Sequence, residues 1–198
     1  KFVRIMSYKV LDQEDQLVKE RIHRLRLIVD AFAAEGITSV HENCMNYGGM
    51  SWKYTMELVE AVPGMKLVFD TCNPVFNRDH SRDDKPWQDA WEFYQNVKAH
   101  ISYIHVKDGL NPSPENGNKE VYTYPGEGQG CVKEIMQDLK ESGYEGGISI
   151  EPHLAAVFHD ADSQNHTDED PKDIYIRYGQ KLMEILSSIG YEHSPYQP

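Results

Sequence analysis

Five short apolar runs, each followed by a longer amphipathic stretch, constrain this chain more than anything else in it. The runs are Phe2–Tyr8, Ile37–Glu42, Met65–Asp70, Ile101–Val106 and Gly147–Pro152. Each is rich in Ile, Val, Phe or Tyr and has the length of a buried strand. The stretches between them read as helices. Asp12–Glu35 carries Leu17, Ile22, Leu25, Val29 and Phe32 at helical spacing, and Gly36 stops it. Ser51–Val62 starts on a Ser cap and ends before Pro63-Gly64. Pro86–His100, Cys131–Ser142 and Pro171–Ile189 complete the set. Strand–helix alternation of this kind builds a parallel sheet with right-handed crossovers, either an open doubly wound sheet or a closed barrel. Neither a GxGxxG turn nor a phosphate-binding GxxxxGK[ST] loop occurs, which argues against a nucleotide-binding doubly wound fold.

Two connections are long. Positions 107–130 hold several Pro and Gly turns, and positions 152–170 are rich in His and Asp. Both follow strands, on the side where a barrel carries its chemistry. The formal net charge of −12 over 198 residues disfavours binding to a phosphate backbone or an anionic membrane. No apolar run reaches membrane-spanning length. The three cysteines, Cys44, Cys72 and Cys131, have no metal-finger spacing and read as reduced thiols in a cytoplasmic protein.

Four successive strands finish on a side chain able to hold a metal: Glu42, Asp70, His105 and Glu151. One such residue is commonplace as a cap or an ion-pair partner. Four at the same end of parallel strands converge, and burying three carboxylates without a counter-cation would cost several kcal/mol for each. Three carboxylates and an imidazole suit one divalent cation: Mn²⁺, Co²⁺ or Mg²⁺, with Zn²⁺ also compatible. Strand alternation then points Val40, Val68, Tyr103 and Ser149 to the same interior. It also brings Cys44, Cys72, Lys107 and His153 to the mouth, and turns His41 and Asn43 outward. Lys107 is placed to hold a substrate oxygen or phosphate, or to pair with Asp108 or the acidic site. His153 is placed to meet substrate or to orient Glu151. Trp52, Trp87 and Trp91 read as packing residues, although Trp52 follows the Glu42 loop and is also placed to wall a sugar. Glu127 sits among Gly126, Gly128 and Gly130, where the backbone can approach a ligand closely. Arg78, His80 and Arg82 read as a solvated loop balanced by Asp79, Asp83 and Asp84. His159, Asp160, Asp162 and His166 read as a flexible acidic loop.

Glu, Asp, His and Glu on successive strand ends, with His105-Val-Lys-Asp108, Pro125-Gly-Glu-Gly128 and Ile150-Glu-Pro-His153, resemble the xylose isomerase-like TIM barrels. The resemblance runs from about Phe2 to Ile189. It implies a (β/α)8 TIM barrel that lacks the first three βα units, with a partial barrel domain at 1–190 and a tail at 191–198. It also implies metal ligation by Glu42, Asp70, His105 and Glu151, with Glu42 and Glu151 doubling as the catalytic pair. The expected function is a metal-dependent sugar or sugar-phosphate isomerase or epimerase that moves a proton through a metal-stabilised enediolate. An inosose dehydratase-like lyase is the alternative on the same site. An apurinic endonuclease and a non-catalytic barrel fragment are more distant ones. The expected partner is a small sugar, with neither nucleic acid nor membrane, and a homo-oligomer is compatible. The pattern departs from its relatives in places. Asn73 stands where the ketose 3-epimerases and the endonucleases place a His, and is kept as a substrate-binding candidate. Asn118 and Glu120 replace the Asp-x-His pair of the trinuclear endonucleases, and Asn111 replaces an epimerase substrate Arg.

Overall fold

The structure is a computed structural model, and it describes residues 1–154 and 170–192. Its centre is a parallel sheet of five strands in the order β1-β2-β3-β4-β7. These are β1 (Phe2–Ile5), β2 (Thr38–Glu42), β3 (Lys66–Asp70), β4 (Ile101–Val106) and β7 (Gly147–Ile150). Sequence order equals spatial order, as expected of a barrel wall. The sheet curls. Phe2 on β1 and Tyr103 on β4 bring their rings to 6.3 Å, whereas strands three places apart in a flat sheet lie roughly 14 Å apart at about 4.8 Å per step.

The outer face of the curl is covered by α1 (Val18–Ala34), α2 (Trp52–Ala61), α4 (Ala90–Val97), α5 (Val132–Glu141) and α6 (Pro171–Ser188). Alternation along each strand decides what these helices meet. Leu67 and Phe69 of β3 and Ile104 and Val106 of β4 point outward, and pack with Phe93 and Tyr94 of α4, Ile135 and Met136 of α5, and Tyr178 of α6. A second cluster joins Ile5 of β1 to Leu25 and Val29 of α1 and to Leu58 of α2. The opposite parity faces inward. The registers Arg4↔Val40, Glu42↔Val68, Asp70↔His105 and His105↔Ser149 align the acidic and imidazole side chains across the sheet. Between Leu67 and Val68 the β3–β4 register shifts by a bulge, which sharpens the local twist.

Several expected boundaries move. The helix expected from Asp12 begins at Val18, because Arg21 is buried and donates to the carbonyls of Ser7, Lys9 and Gln16. The chain must wrap that guanidinium before it can turn helical. The helix expected from Pro86 begins at Ala90, where the Asp89 carboxylate caps the Glu92 amide. Pro86 instead lies in a loop held by an isolated bridge between Arg78 and Trp87. The connection 107–130 contains an antiparallel hairpin, β5 (Asp108–Leu110) with β6 (Val121–Thr123). A short α3 (Asn73–Phe76) follows β3 directly. The acidic patch expected from His159, Asp160, Asp162 and His166 lies outside the described residues, as does most of the expected 191–198 tail. Among the described residues no helix is long and apolar enough to cross a membrane. All three cysteines are free thiols.

Candidate metal centre

The strand ends converge. One ligand atom from each of Glu42, Asp70, His105 and Glu151 can be chosen so that all lie within 4.8 Å of one another. Glu42 and Asp70 are buried, and His105 and Glu151 are partly open. His105 Nδ1 sits between the flanking carboxylates, 3.2 Å from Glu42 Oε1 and 3.0 Å from Glu151 Oε2. Burial opposes a charge on this imidazole. The hydrogen bonds to Glu151 and Glu42 outweigh it and lift the pKa from 6.5 to about 9. Burial also opposes ionisation of Glu151, but hydrogen bonds from His105 and His153 hold its carboxyl well below the usual range.

Asp70 is fixed by its own turn. Its Oδ1 accepts from the amides of Cys72 and Asn73, and its amide donates to Asn43 Oδ1. Burial pushes its carboxyl upward and the Lys107 charge pulls it back. Lys107 Nζ lies 3.1 Å from Asp70 Oδ2 and donates to Asn73 Oδ1 at 2.8 Å. Burial would lower the lysine, yet the Asp70 and Glu151 carboxylates hold it above its ordinary range. Lys107 therefore serves the acidic site and not Asp108.

Asp108 has a different role. Its carboxylate accepts the amides of Gly109, Gly126, Gly128 and Gly130 at 2.8–3.1 Å. The glycine-rich segment thus wraps a carboxylate of its own chain. Glycine is required there, since a Cβ on Gly128 would lie 2.3 Å from Asp108 Oδ1. The result anchors the hairpin beside the site.

A cavity of about 490 Å³ opens over the cluster. Glu42, Glu151, Lys107, His153, Asn73 and Cys44 line it, as the sequence pattern expects. His153 Nε2 lies 3.3 Å from Glu151 Oε1, so it braces the carboxylate. Three expectations are corrected. Trp52 packs against the hydrophobic core, because its position at the start of α2 turns it to the outer layer. Glu127 points to Lys181, 3.5 Å away, outside the cavity lining. Cys72 is buried behind the wall with Val75 and Ala90, because the turn into α3 ends the strand alternation at Asp70. Arg78 lies over Trp87 at 3.6 Å and Arg82 pairs with Asp84, so neither reaches the cavity.

The sequence reasoning also missed lining residues. Arg4 and Met6 share the inward parity of β1, and Arg4 Nη1 binds Glu42 Oε2 at 2.9 Å. Extending the alternation argument to the first strand would have found both. Phe76, Glu120 and Tyr122 come from α3 and the hairpin. Tyr122 lies 5.0 Å from both the Phe76 and the His153 rings, and no local signal announced that wall.

The donor set suits a hard divalent cation. Three carboxylates and one imidazole meet at a point. Asp70 Oδ2 and Glu151 Oε2 are buried without a hydrogen bond of good geometry, although cationic groups stand near both. A buried oxygen in that state wants a positive centre.

A model of the xylose isomerase-like TIM barrel family matches residues 6–175. The chain belongs to this family. Among solved structures it is similar to a xylose isomerase domain protein from Planctomyces limnophilus, with TM-score 0.68 and 18% identity over 95% of this chain and 59% of that one. It is similar to a xylose isomerase-like TIM barrel protein from Mycobacterium smegmatis in complex with magnesium, with TM-score 0.62 and 18% identity over 92% and 55%. It is also similar to D-psicose 3-epimerase from Clostridium cellulolyticum H10, with TM-score 0.59 and 16% identity over 90% and 58%. The chain spans less than two thirds of the length of each. No curated protein sequence matches it. The five-stranded curled sheet is thus part of a barrel wall of this family.

Proposed function

We propose that this protein is a divalent-metal-dependent sugar isomerase or epimerase. The observation that carries the reading is the pairing of Glu42 and Glu151 across His105, with Asp70 completing a cluster whose ligand atoms lie within 4.8 Å. The similarity to the 3-epimerase named above supports it. Glu42, Asp70, His105 and Glu151 would hold the cation, which supplies Lewis-acid charge beside the substrate oxygens.

The chain's own groups do the proton work. Glu42 and Glu151 both reach the cavity. One takes a proton from the carbon beside the substrate carbonyl, and the other returns it. Return to the opposite face of the same carbon epimerises, and return to the neighbouring carbon isomerises. Arg4 holds Glu42 from one side. His153 holds Glu151 from another. Lys107 and Asn73 line the same cavity, and on this reading they meet the substrate oxygens. The expected setting is cytoplasmic and the expected partner a small sugar.

The test is proton exchange at carbon in deuterated water, with the Mn²⁺-loaded protein and a panel of ketoses, aldoses and their phosphates. Exchange on at least one sugar is expected. The Glu151→Gln variant should keep its fold by circular dichroism and lose exchange by at least about a hundredfold, the usual contribution of a positioned acid–base group. Near-native exchange in that variant, or none on any sugar with the parent, would overturn the mechanism.

A further inference from the structure

We propose that Asn46 is a positioning residue: its side chain fixes the backbone of Glu42 and thereby aims the Glu42 carboxylate into the strand-end cluster. Only the catalytic consequence rests on the role given to Glu42 above.

Asn46 is buried behind the cavity wall, and so are Ser7 and His41. None of the three lines the cavity. Their polar groups meet on one amide. Ser7 Oγ donates to Asn46 Oδ1, and His41 Nε2 lies 3.0 Å from the same oxygen. The Gly49 amide also points to it, at 3.4 Å. Asn46 Nδ2 donates to the Glu42 carbonyl at 3.0 Å, and to the sulfurs of Cys44 and Met6 at 3.0 and 3.4 Å. The two backbone groups decide which way the amide faces. A carbonyl only accepts and an N–H only donates, so Nδ2 must face Glu42 and Oδ1 must face Gly49. His41 then has to present a proton on Nε2.

The surroundings are arranged around this amide. A neutral His41 gives its one N–H to Asn46 and leaves Nδ1 buried, with no hydrogen-bond partner among the described residues. Leaving that acceptor bare is a cost that plain packing would not require. Ser7 Oγ accepts from the Gly48 amide at 2.8 Å, while the Ser7 carbonyl takes Arg21 Nη1 at 2.7 Å. A Cβ on Gly48 would lie 2.6 Å from His41 Cε1, so the loop closes over the ring only with glycine there. The clamp thus runs from α1 through Ser7 to the last residue of β2. Its consequence falls on Glu42, whose Oε1 lies 3.2 Å from His105 Nδ1 and whose Oε2 lies 2.9 Å from Arg4 Nη1. Both oxygens hang from the residue whose carbonyl Asn46 holds. Turning that peptide plane swings the carboxylate, and such bonds weaken steeply as their angles open.

NMR on the full chain in chelator tests this. The His105 Nδ1 proton, held between Glu42 and Glu151, should give a downfield resonance that reads where the Glu42 carboxylate lies. Asn46→Ala should shift it upfield or lose it to exchange with water. Ser7→Ala removes one bond to Asn46 and keeps the amide, so it should move the resonance the same way by less. Leu25→Ala, in the apolar cluster between α1 and β1, controls for a merely structural loss. It should unfold at lower urea concentration and leave the resonance in place. Mn²⁺ titration by calorimetry is the second readout. Asn46→Ala should weaken binding by about tenfold or more, the usual scale for a residue that orients a metal ligand, and Leu25→Ala by less than about threefold. An unmoved resonance in folded Asn46→Ala overturns the proposal. So does an equal shift in Leu25→Ala, a parent without the resonance, or Mn²⁺ binding by Asn46→Ala within about threefold of a parent that binds it. If Asn46→Ala does not fold, an unmoved resonance in Ser7→Ala overturns it instead. A parent that binds no Mn²⁺ sinks the metal reading, and the His105 proton still decides this one.

Discussion

His105 holds a proton between two carboxylates, and on the proposed reading it gives that proton up to a metal, a difference that should be measurable as stability. In the metal-free protein its Nδ1 bridges Glu42 and Glu151, and folding raises its pKa from 6.5 to about 9. Folding therefore stabilises the protonated imidazole. That contribution is fully present below pH 6.5 and is lost as pH rises through about 9. At about 1.4 kcal/mol for each tenfold change in proton affinity, the shift corresponds to about 3 kcal/mol. The side chain is 18% exposed, so screening trims this to about 2–3 kcal/mol. For a chain of this size that is a fall in Tm of about 4–12 °C between pH 6.5 and 9. The assay is thermal unfolding in a chelator across that range, for the parent and His105→Gln. The parent should lose stability and the variant should lack this component. His41 cannot mimic the effect, because burial lowers its pKa to about 4. Added Mn²⁺ should reverse the trend, since the ion must displace the imidazole proton and so binds better as pH rises. Parallel pH profiles for parent and variant would refute the reasoning.

Three further outcomes follow from the same geometry. Lys107→Met removes the cation beside the fully buried Asp70. It should cost about 3–5 kcal/mol in chelator, measured by urea unfolding, and distinctly less with Mn²⁺ bound. Asp108→Asn exchanges an ionised acceptor of four glycine amides for a neutral one. It should lower stability by about 1–3 kcal/mol, with the Gly126, Gly128 and Gly130 amides exchanging hydrogen faster by NMR. Gly128→Ala places a methyl against Asp108 Oδ1 and the Gly109 backbone. It should distort the hairpin and weaken sugar binding in titrations more than it weakens Mn²⁺ binding.

The cluster of Glu42, Asp70, His105 and Glu151 was legible because strand parity is rigid. Once Ile37–Glu42, Met65–Asp70, Ile101–Val106 and Gly147–Pro152 read as parallel strands, their terminal residues had to meet at one end. Lys107 and His153 followed by the same two-residue step, and both line the cavity. Cys72 shows where that step fails. Asp70 accepts two amides from the following turn, and the chain leaves the strand there. Trp52 and Glu127 were placed by proximity in sequence, which does not tell which side of a helix or loop faces the site.

The residue pattern alone established the strand–helix alternation of a parallel sheet and the four residues that finish successive strands, whereas the order of the strands was implied only by the family resemblance. Periodicity and the handedness of crossovers are local properties, and they propagate without knowledge of distant contacts. Tertiary structure alone decided how the charges at that end are shared. It pairs Arg4 with Glu42 and Lys107 with Asp70, and sets Glu120 in the cavity wall. Arg4 and Glu42 are separated by 38 positions, and Lys107 and Asp70 by a similar distance. The hairpin that brings Glu120 and Tyr122 over the site depends on the glycine amides closing around Asp108. Contacts of that range depend on how the sheet curls, and no window of sequence contains the curl.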